Sequence, residues 1–220
     1  MPRVLVHLLR HGEVFNPDGV LYGRLPEFHL SDRGRAMADL VADHLAERAA
    51  GGAKLVHLVA SPLTRAQETA QPTAAALGLE ISTDPRIIEA ENHFEGLKVS
   101  KAELRKPRHW KYFLNPLRPS WGEPYARQAD RMMEAARDAG RRALELGGDG
   151  AEAVLVSHQL PIWATRRRAE GKRLWHDPRH RECTLASLTT LVFEGDDVVE
   201  VSYSEPAAVL LPGAATTPGA

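Results

Sequence analysis

Three places in this chain put a basic side chain just beyond an apolar run, and each of those side chains could work on a phosphate. The run from Val4 to Leu9 ends in Arg10-His11-Gly12-Glu13. The run Leu55 to Ala60 ends in Ser61-Pro62 with Arg65 shortly after, and Ala153 to Val156 ends in Ser157-His158. A neutral histidine nitrogen is a nucleophile, and a glycine after it gives the backbone freedom to turn. Arginine offers a planar fork of donors that matches phosphate oxygens, and a second histidine can add another donor. A phosphoryl group in transfer spreads negative charge over its equatorial oxygens, so preorganised donors supply most of what catalysis needs. Arg10 and Arg65 beside His11 would also lower its pKa and keep the nucleophilic form available near neutrality.

Each of these residues has a plainer reading by itself: a polar side chain at a strand end, or a solvated arginine in a helix's first turn. What sets them apart is the element that carries each one. Val4, Leu5, Val6, Leu8 and Leu9 form a run too short for a typical helix and rich in strand formers, which predicts a buried parallel strand. Leu55–Ala60 and Ala153–Val156 repeat the design. In open α/β sheets, ligands bind beyond the carboxyl ends of strands, so parallel strands would bring all three basic residues to one edge.

The intervening sequence supplies the crossovers. Val14 to Leu30, with Asn16-Pro17-Asp18-Gly19 and Tyr22-Gly23-Arg24, predicts an ordered loop over the site. Ser31 is a suitable N-cap for a helix whose Met37, Leu40, Val41, His44 and Leu45 face inward until Gly51-Gly52. Ser61 can cap a second helix with Pro62 at its first position, running through Ala66, Ala70 and Ala74 to Gly78. Glu80–Thr83 is a short third strand, and the β-α-β-α-β order predicts a parallel sheet with crossover helices. Glu123–Leu146 reads as a long helix with Ala129, Met132, Met133, Ala136, Ala143 and Leu144 inward, and a further helix runs from near Pro161 to Gly171. The arginines 166 to 168 suit that helix's C-terminal dipole as a solvated face. Ser187–Phe193 and Val198–Tyr203 form an edge hairpin through Glu194-Gly195-Asp196-Asp197. The expected organisation is one domain over residues 1–205, with an excursion at 97–122 and a tail at 206–220 rich in Ala, Pro, Thr and Gly.

Composition narrows the classes of function. With 28 basic and 29 acidic residues the net charge is -1, so nothing global attracts nucleic acid or an anionic membrane. The single cysteine, Cys183, excludes an internal disulfide and a cysteine metal cluster, and predicts a core or half-buried thiol. Met1-Pro2-Arg3 leads straight into the first strand, and no apolar run reaches spanning length, which together predict a soluble, cytoplasmic protein.

The motifs Arg10-His11-Gly12-Glu13, Ser61-Pro62-Leu63-Thr64-Arg65-Ala66-Gln67-Glu68-Thr69-Ala70 and Val156-Ser157-His158 occur in the order and at the separations of the histidine phosphatase superfamily, the phosphoglycerate mutase-like proteins. The resemblance spans most of residues 4 to 203. It implies a three-layer α/β/α sandwich with a mainly parallel sheet, and a phosphoric monoester hydrolase of the histidine acid phosphatase type. His11 would accept the phosphoryl group, with Arg10, Arg65 and His158 clamping it, and neither a metal nor a cofactor is implied. The family's general acid lies after the third strand, in a segment matched here by Arg86 to Gly96. That segment departs from the pattern in length and lacks the usual internal glycine. Glu89 fits best, following Ile87-Ile88, and Glu91 competes with it.

Other readings are a phosphoglycerate mutase-type transfer, disfavoured by Val14-Phe15-Asn16 after the first motif, and a non-catalytic anion- or nucleic-acid-binding module. The module would use Lys98 to Arg118, where Lys101, Arg105, Lys106, Arg108 and Lys111 interleave with Trp110, Tyr112 and Phe113. The near-zero net charge argues against nucleic acid, and the same segment could line the entry of a small phosphorylated substrate. His176 and His180, four apart, flank Asp177-Pro178, so surface histidines are expected there and not a metal pair.

Overall fold

The computed structural model describes residues 1–98, 106–113, 122–177 and 180–214. Its strands are β1 (Arg3–Arg10), β2 (Lys54–Ala60), β3 (Ile81–Thr83), β4 (Ala151–Ser157), β5 (Leu188–Glu194) and β6 (Asp197–Ser204), in the sheet order β3-β2-β4-β1-β5-β6. The first four are parallel, and β5 and β6 extend the sheet antiparallel beyond β1. The helices α1 (Asp32–Ala50) and α2 (Thr64–Leu77) pack against each other, while α3 (Tyr125–Gly147) packs on α4 (Gln159–Ala169) and on β1, β2 and β4. The architecture is therefore the expected mixed α/β sandwich.

Side-chain alternation on the strands divides the core in two. Val4, Val6 and Leu8 of β1 join Met132, Ala136 and Ala139 of α3, whereas Leu9 joins Met37, Val41 and Leu45 of α1. Every residue of β4 is buried, as a central parallel strand requires. That includes Glu152, because β4 starts at Ala151, ahead of the apolar run that marks it in the sequence. The Glu152 carboxylate takes two parallel hydrogen bonds from Arg48, each 2.8 Å, and a third from His7 Nε2 at 2.8 Å. Those contacts hold the Glu152 pKa down at about 2 against the opposing effect of burial, the largest single influence on it.

Most local signals act as expected. Ser31 caps α1 by accepting from the Gly34 N–H at 3.0 Å, and Gly51 ends the helix. The β5–β6 hairpin turns through Gly195-Asp196, with Gly195 at φ +64°. Other details differ. Helix α2 begins at Thr64 with Leu63 at the cap position, so neither Ser61 nor Pro62 has the capping role expected of it. His44 faces solvent, because the inward face of α1 is made by Met37, Ala38, Val41, Ala42 and Leu45. Arg166 is not merely solvated: it pairs with Glu170 and Glu182 and lies over the Trp163 and Tyr203 rings. From 206 onward the chain does not leave the body at once, for Ala207 is buried and Leu210, Leu211 and Ala214 pack on the α1–α2 side of the core. Within the excursion a 3₁₀ turn spans Pro107–Phe113, with His109 buried and Trp110 61% exposed. Lys101 and Arg105 lie outside the described residues, as do the side chains of Lys111, Tyr112 and Phe113. Among the described residues no helix is long and apolar enough to cross a membrane.

Candidate active site

The carboxyl ends of β1, β2 and β4 meet at one edge of the sheet, and backbone hydrogen bonds continue past the strand ends to hold them in register. His11 N–H donates to the Ser157 carbonyl at 3.1 Å, and Ser61 N–H to the Val156 carbonyl at 2.9 Å. Gly12 N–H donates to Thr69 Oγ1 at 3.1 Å, and Thr69 Oγ1 to the Arg65 carbonyl at 2.7 Å, tying the turn after β1 to the first turns of α2. Gly12 serves close approach, not a left-handed turn. A Cβ there would sit 2.5 Å from the Gly34 carbonyl oxygen, and one on Gly34 would sit 2.0 Å from that of Glu13.

His11 is fully buried, and its Nδ1 lies 2.8 Å from the Gly12 carbonyl oxygen. A carbonyl only accepts, so Nδ1 carries the hydrogen and Nε2 presents its lone pair. Burial, then Arg65 and Arg10, push the His11 pKa well below 6.5, so the ring is neutral at physiological pH. His158 lies alongside with its ring centroid 5.2 Å away, and its Nε2 is 2.8 Å from Ser61 Oγ. Its pKa is also lowered well below 6.5, by burial first and then by Arg65. Arg10 is fixed by donating through Nη1 to the Cys183 carbonyl at 2.7 Å. The Cys183 thiol itself is buried, and desolvation raises its pKa to about 11.

Arg65 is buried and oriented by the loop between β1 and α1. It donates through Nη2 to the Gly23 carbonyl at 2.6 Å, and its Cζ sits 4.7 Å from the centre of the Tyr22 ring. Tyr22 is likewise buried, its phenol raised to about 12 chiefly by desolvation. Arg24 latches the same loop to the segment after β3 by donating to the Glu89 carbonyl at 2.6 Å and to Glu91 and Glu123. Buried polar atoms of this cluster that make no hydrogen bond to the protein include His11 Nε2, His158 Nδ1, Arg65 Nε and the Tyr22 hydroxyl.

The two candidate acids part company. Glu89 is buried and accepts from the Ala90 N–H at 2.7 Å; desolvation raises its pKa above 4.5 against the pull of that hydrogen bond, Arg65 and Arg10. Glu91 is 64% exposed and paired with Arg24. The structure thus brings His11, Arg10, Arg65, His158 and Glu89 together and leaves Glu91 outside. Tyr22 and Arg24 were legible only as parts of a loop, and no motif pointed to Arg181, a half-buried cation that also acts on Glu89. His176 is buried, not a surface residue: its Nδ1 donates to the Leu174 carbonyl and its Nε2 accepts from Arg181. His180 is exposed, and among the described residues no cluster of His, Cys, Asp and Glu could hold a metal.

Comparisons with known proteins bear on the family and the fold. An uncharacterized protein of Mycobacterium tuberculosis strain H37Rv is 53% identical over 206 residues, covering 93% of this chain and 97% of the relative. The phosphoglycerate mutase-like protein 4 of Arabidopsis thaliana is 32% identical, over 74% of this chain and 69% of its own. Among solved structures, a mycobacterial glucosyl-3-phosphoglycerate phosphatase superposes with a TM-score of 0.70 at 24% identity, covering 93% of this chain and 97% of that one. A phosphoglycerate mutase from Bacillus anthracis does so with a TM-score of 0.69 at 18% identity, covering 95% and 96%. The family model for the histidine phosphatase superfamily, branch 1, matches residues 6–206 and so takes in all three strand-end motifs; the chain belongs to that superfamily.

Proposed function

We propose that the protein hydrolyses a phosphate monoester through a phosphohistidine on His11. The observation that carries this reading is the His11 ring, neutral and buried, with Nε2 bare among Arg10, Arg65, Tyr22 and His158. In the first step the Nε2 lone pair attacks phosphorus and the bond to the leaving oxygen breaks. The protonated Glu89 carboxyl, whose raised pKa suits an acid, gives its proton to that oxygen. Positive charge grows on the imidazole, and the Nδ1–H bond to the Gly12 carbonyl strengthens with it. In the second step Glu89 as carboxylate takes a proton from water, the resulting hydroxide attacks phosphorus, and the P–N bond breaks to return neutral His11 and free phosphate. Arg10, Arg65 and His158 bind the phosphoryl oxygens throughout, and the reading calls for no metal.

The test is hydrolysis of an aryl phosphate in chelator, with acid-labile phosphate trapped on the wild type and on His11→Ala. Wild-type turnover releasing inorganic phosphate, with trapping lost in the variant, supports the reading. Phosphoryl return to a second acceptor without net phosphate release would make the enzyme a mutase. Label that persists on His11→Ala, or activity that vanishes in chelator, overturns the mechanism.

A further inference from the structure

Arg181 is a guanidinium held rigidly by neutral groups. Its Nε donates to His176 Nε2 at 2.8 Å, and His176 can accept because its Nδ1 proton is committed to the Leu174 carbonyl at 2.7 Å. Its Nη1 donates to Gln159 Oε1 at 3.3 Å, and the Tyr125 hydroxyl takes a further hydrogen bond. Gln159 in turn donates to the Cys183 carbonyl at 3.2 Å, the same oxygen that receives Arg10. A continuous chain of hydrogen bonds therefore runs from the phosphate-facing Arg10 to Arg181.

No carboxylate pairs with Arg181 among the described residues. Glu182, next in sequence, is turned away and held by Arg166 at 2.6 Å. The carboxyl that feels Arg181 is Glu89, the proposed proton donor. A half-buried cation with only neutral acceptors has lost hydration without an ionic partner, a costly arrangement that an incoming anion would offset. Arg181 is tied to Arg10 through Gln159 and the Cys183 carbonyl and acts on the carboxyl that gives its proton to the leaving oxygen, which puts its charge on the leaving-group side of the scissile bond.

We infer that Arg181 binds a second anionic group, a carboxylate or a further phosphate, carried by the alcohol portion of the substrate. The inference rests on the phosphate seat at His11, and it names the substrate class as phosphate monoesters that bear another negative charge. His176 is a positioning residue, aiming the guanidinium without touching substrate.

Binding of non-hydrolysable phosphonates tests this apart from turnover. Titration calorimetry compares phosphonoacetate, 3-phosphonopropionate and 4-phosphonobutyrate with alkylphosphonates of matched length, and a methylene bisphosphonate with methylphosphonate. In the wild type at least one doubly anionic compound should bind about tenfold tighter than its matched control, the scale of one charge-assisted hydrogen bond. Arg181→Ala should erase that advantage and Arg181→Lys restore part of it; the matched control reports whether the phosphate seat itself survives. The carboxylate and bisphosphonate arms identify which anion is preferred. An advantage absent from every wild-type pair, or one that persists in Arg181→Ala, overturns the inference. A preference that holds in a protein with no turnover would instead overturn the hydrolase reading and leave this one standing.

Discussion

Strands β1 and β4 carry two clusters of buried polar residues, and the two are built on opposite principles. Around the middle of β1, His7, Glu152 and Arg48 saturate one another: both ring nitrogens of His7 are engaged, by Glu152 and by Thr190 Oγ1 at 2.8 Å, and both carboxylate oxygens are taken. At the carboxyl side, His11, His158, Arg65 and Tyr22 each keep a buried polar atom without a protein partner. His7 and Glu152 are as buried as His11 and Arg65, and Arg48 alone is exposed, so burial by itself does not separate the structural cluster from the one proposed to do chemistry. Satisfaction does: around His7 the hydrogen bonds close on the protein and hold the fold, while at the strand ends buried polar atoms stay open towards the pocket where the phosphate is proposed to sit.

Substitutions should break the two clusters in different currencies. His11→Ala should remove turnover to background while leaving thermal stability unchanged or higher, because it deletes a desolvated polar atom; activity assay and thermal unfolding read the two effects. Next in size, Glu89→Gln should cost about 10²- to 10⁴-fold in kcat on an alkyl phosphate and far less on nitrophenyl phosphate, whose leaving group departs without a proton. Equal losses on both substrates would take Glu89 out of the acid's role.

At the other cluster, Glu152→Gln should keep most activity and lose about 3 kcal/mol of stability at neutral pH, read by chemical denaturation. The pH dependence sharpens the contrast. The Glu152 pKa is depressed in the fold, from 4.5 to about 2, so its stabilisation is present above 4.5 and is lost as pH falls towards 2. For His11 and His158 the folded pKa is depressed below 6.5, so protonation of the unfolded chain already erodes stability as pH drops through 6.5. The acid profile should therefore fall in two stages, with Glu152→Gln flattening only the lower one and His11→Ala reducing the upper one. Smallest is the ligand effect: phosphate or vanadate at about 100 times its Kd should stabilise the wild type by about 2.7 kcal/mol, and Arg65→Ala much less.

The sheet, its crossovers and the strand-end basic residues were legible because each rests on a local rule: apolar runs of strand length, Ser31 at a cap, Gly195 at a tight turn. Glu89 could be preferred over Glu91 only through family resemblance, and burial supplies the physical difference between them. What the sequence concealed depends on long-range pairing. Glu152 interrupts the apolar signal of β4, and its tolerance there comes from Arg48 and His7, both remote in the chain. Ser61 has the residue type of a helix cap, yet its hydroxyl is committed to His158. His176 carries no sign of burial, since the rings around it come from Tyr125 and Trp163.

The mutual wedge of Gly12 and Gly34 has a consequence for how this protein tolerates change. Gly34 does no chemistry and lies on α1, yet any side chain there must displace the Glu13 carbonyl and with it the turn that aims His11. A saturation scan of α1 should find position 34 as unforgiving as a reactive residue, amid neighbours that accept broad substitution. An alanine at Gly34 should lower kcat more than it weakens phosphate binding, the mark of a nucleophile knocked off line.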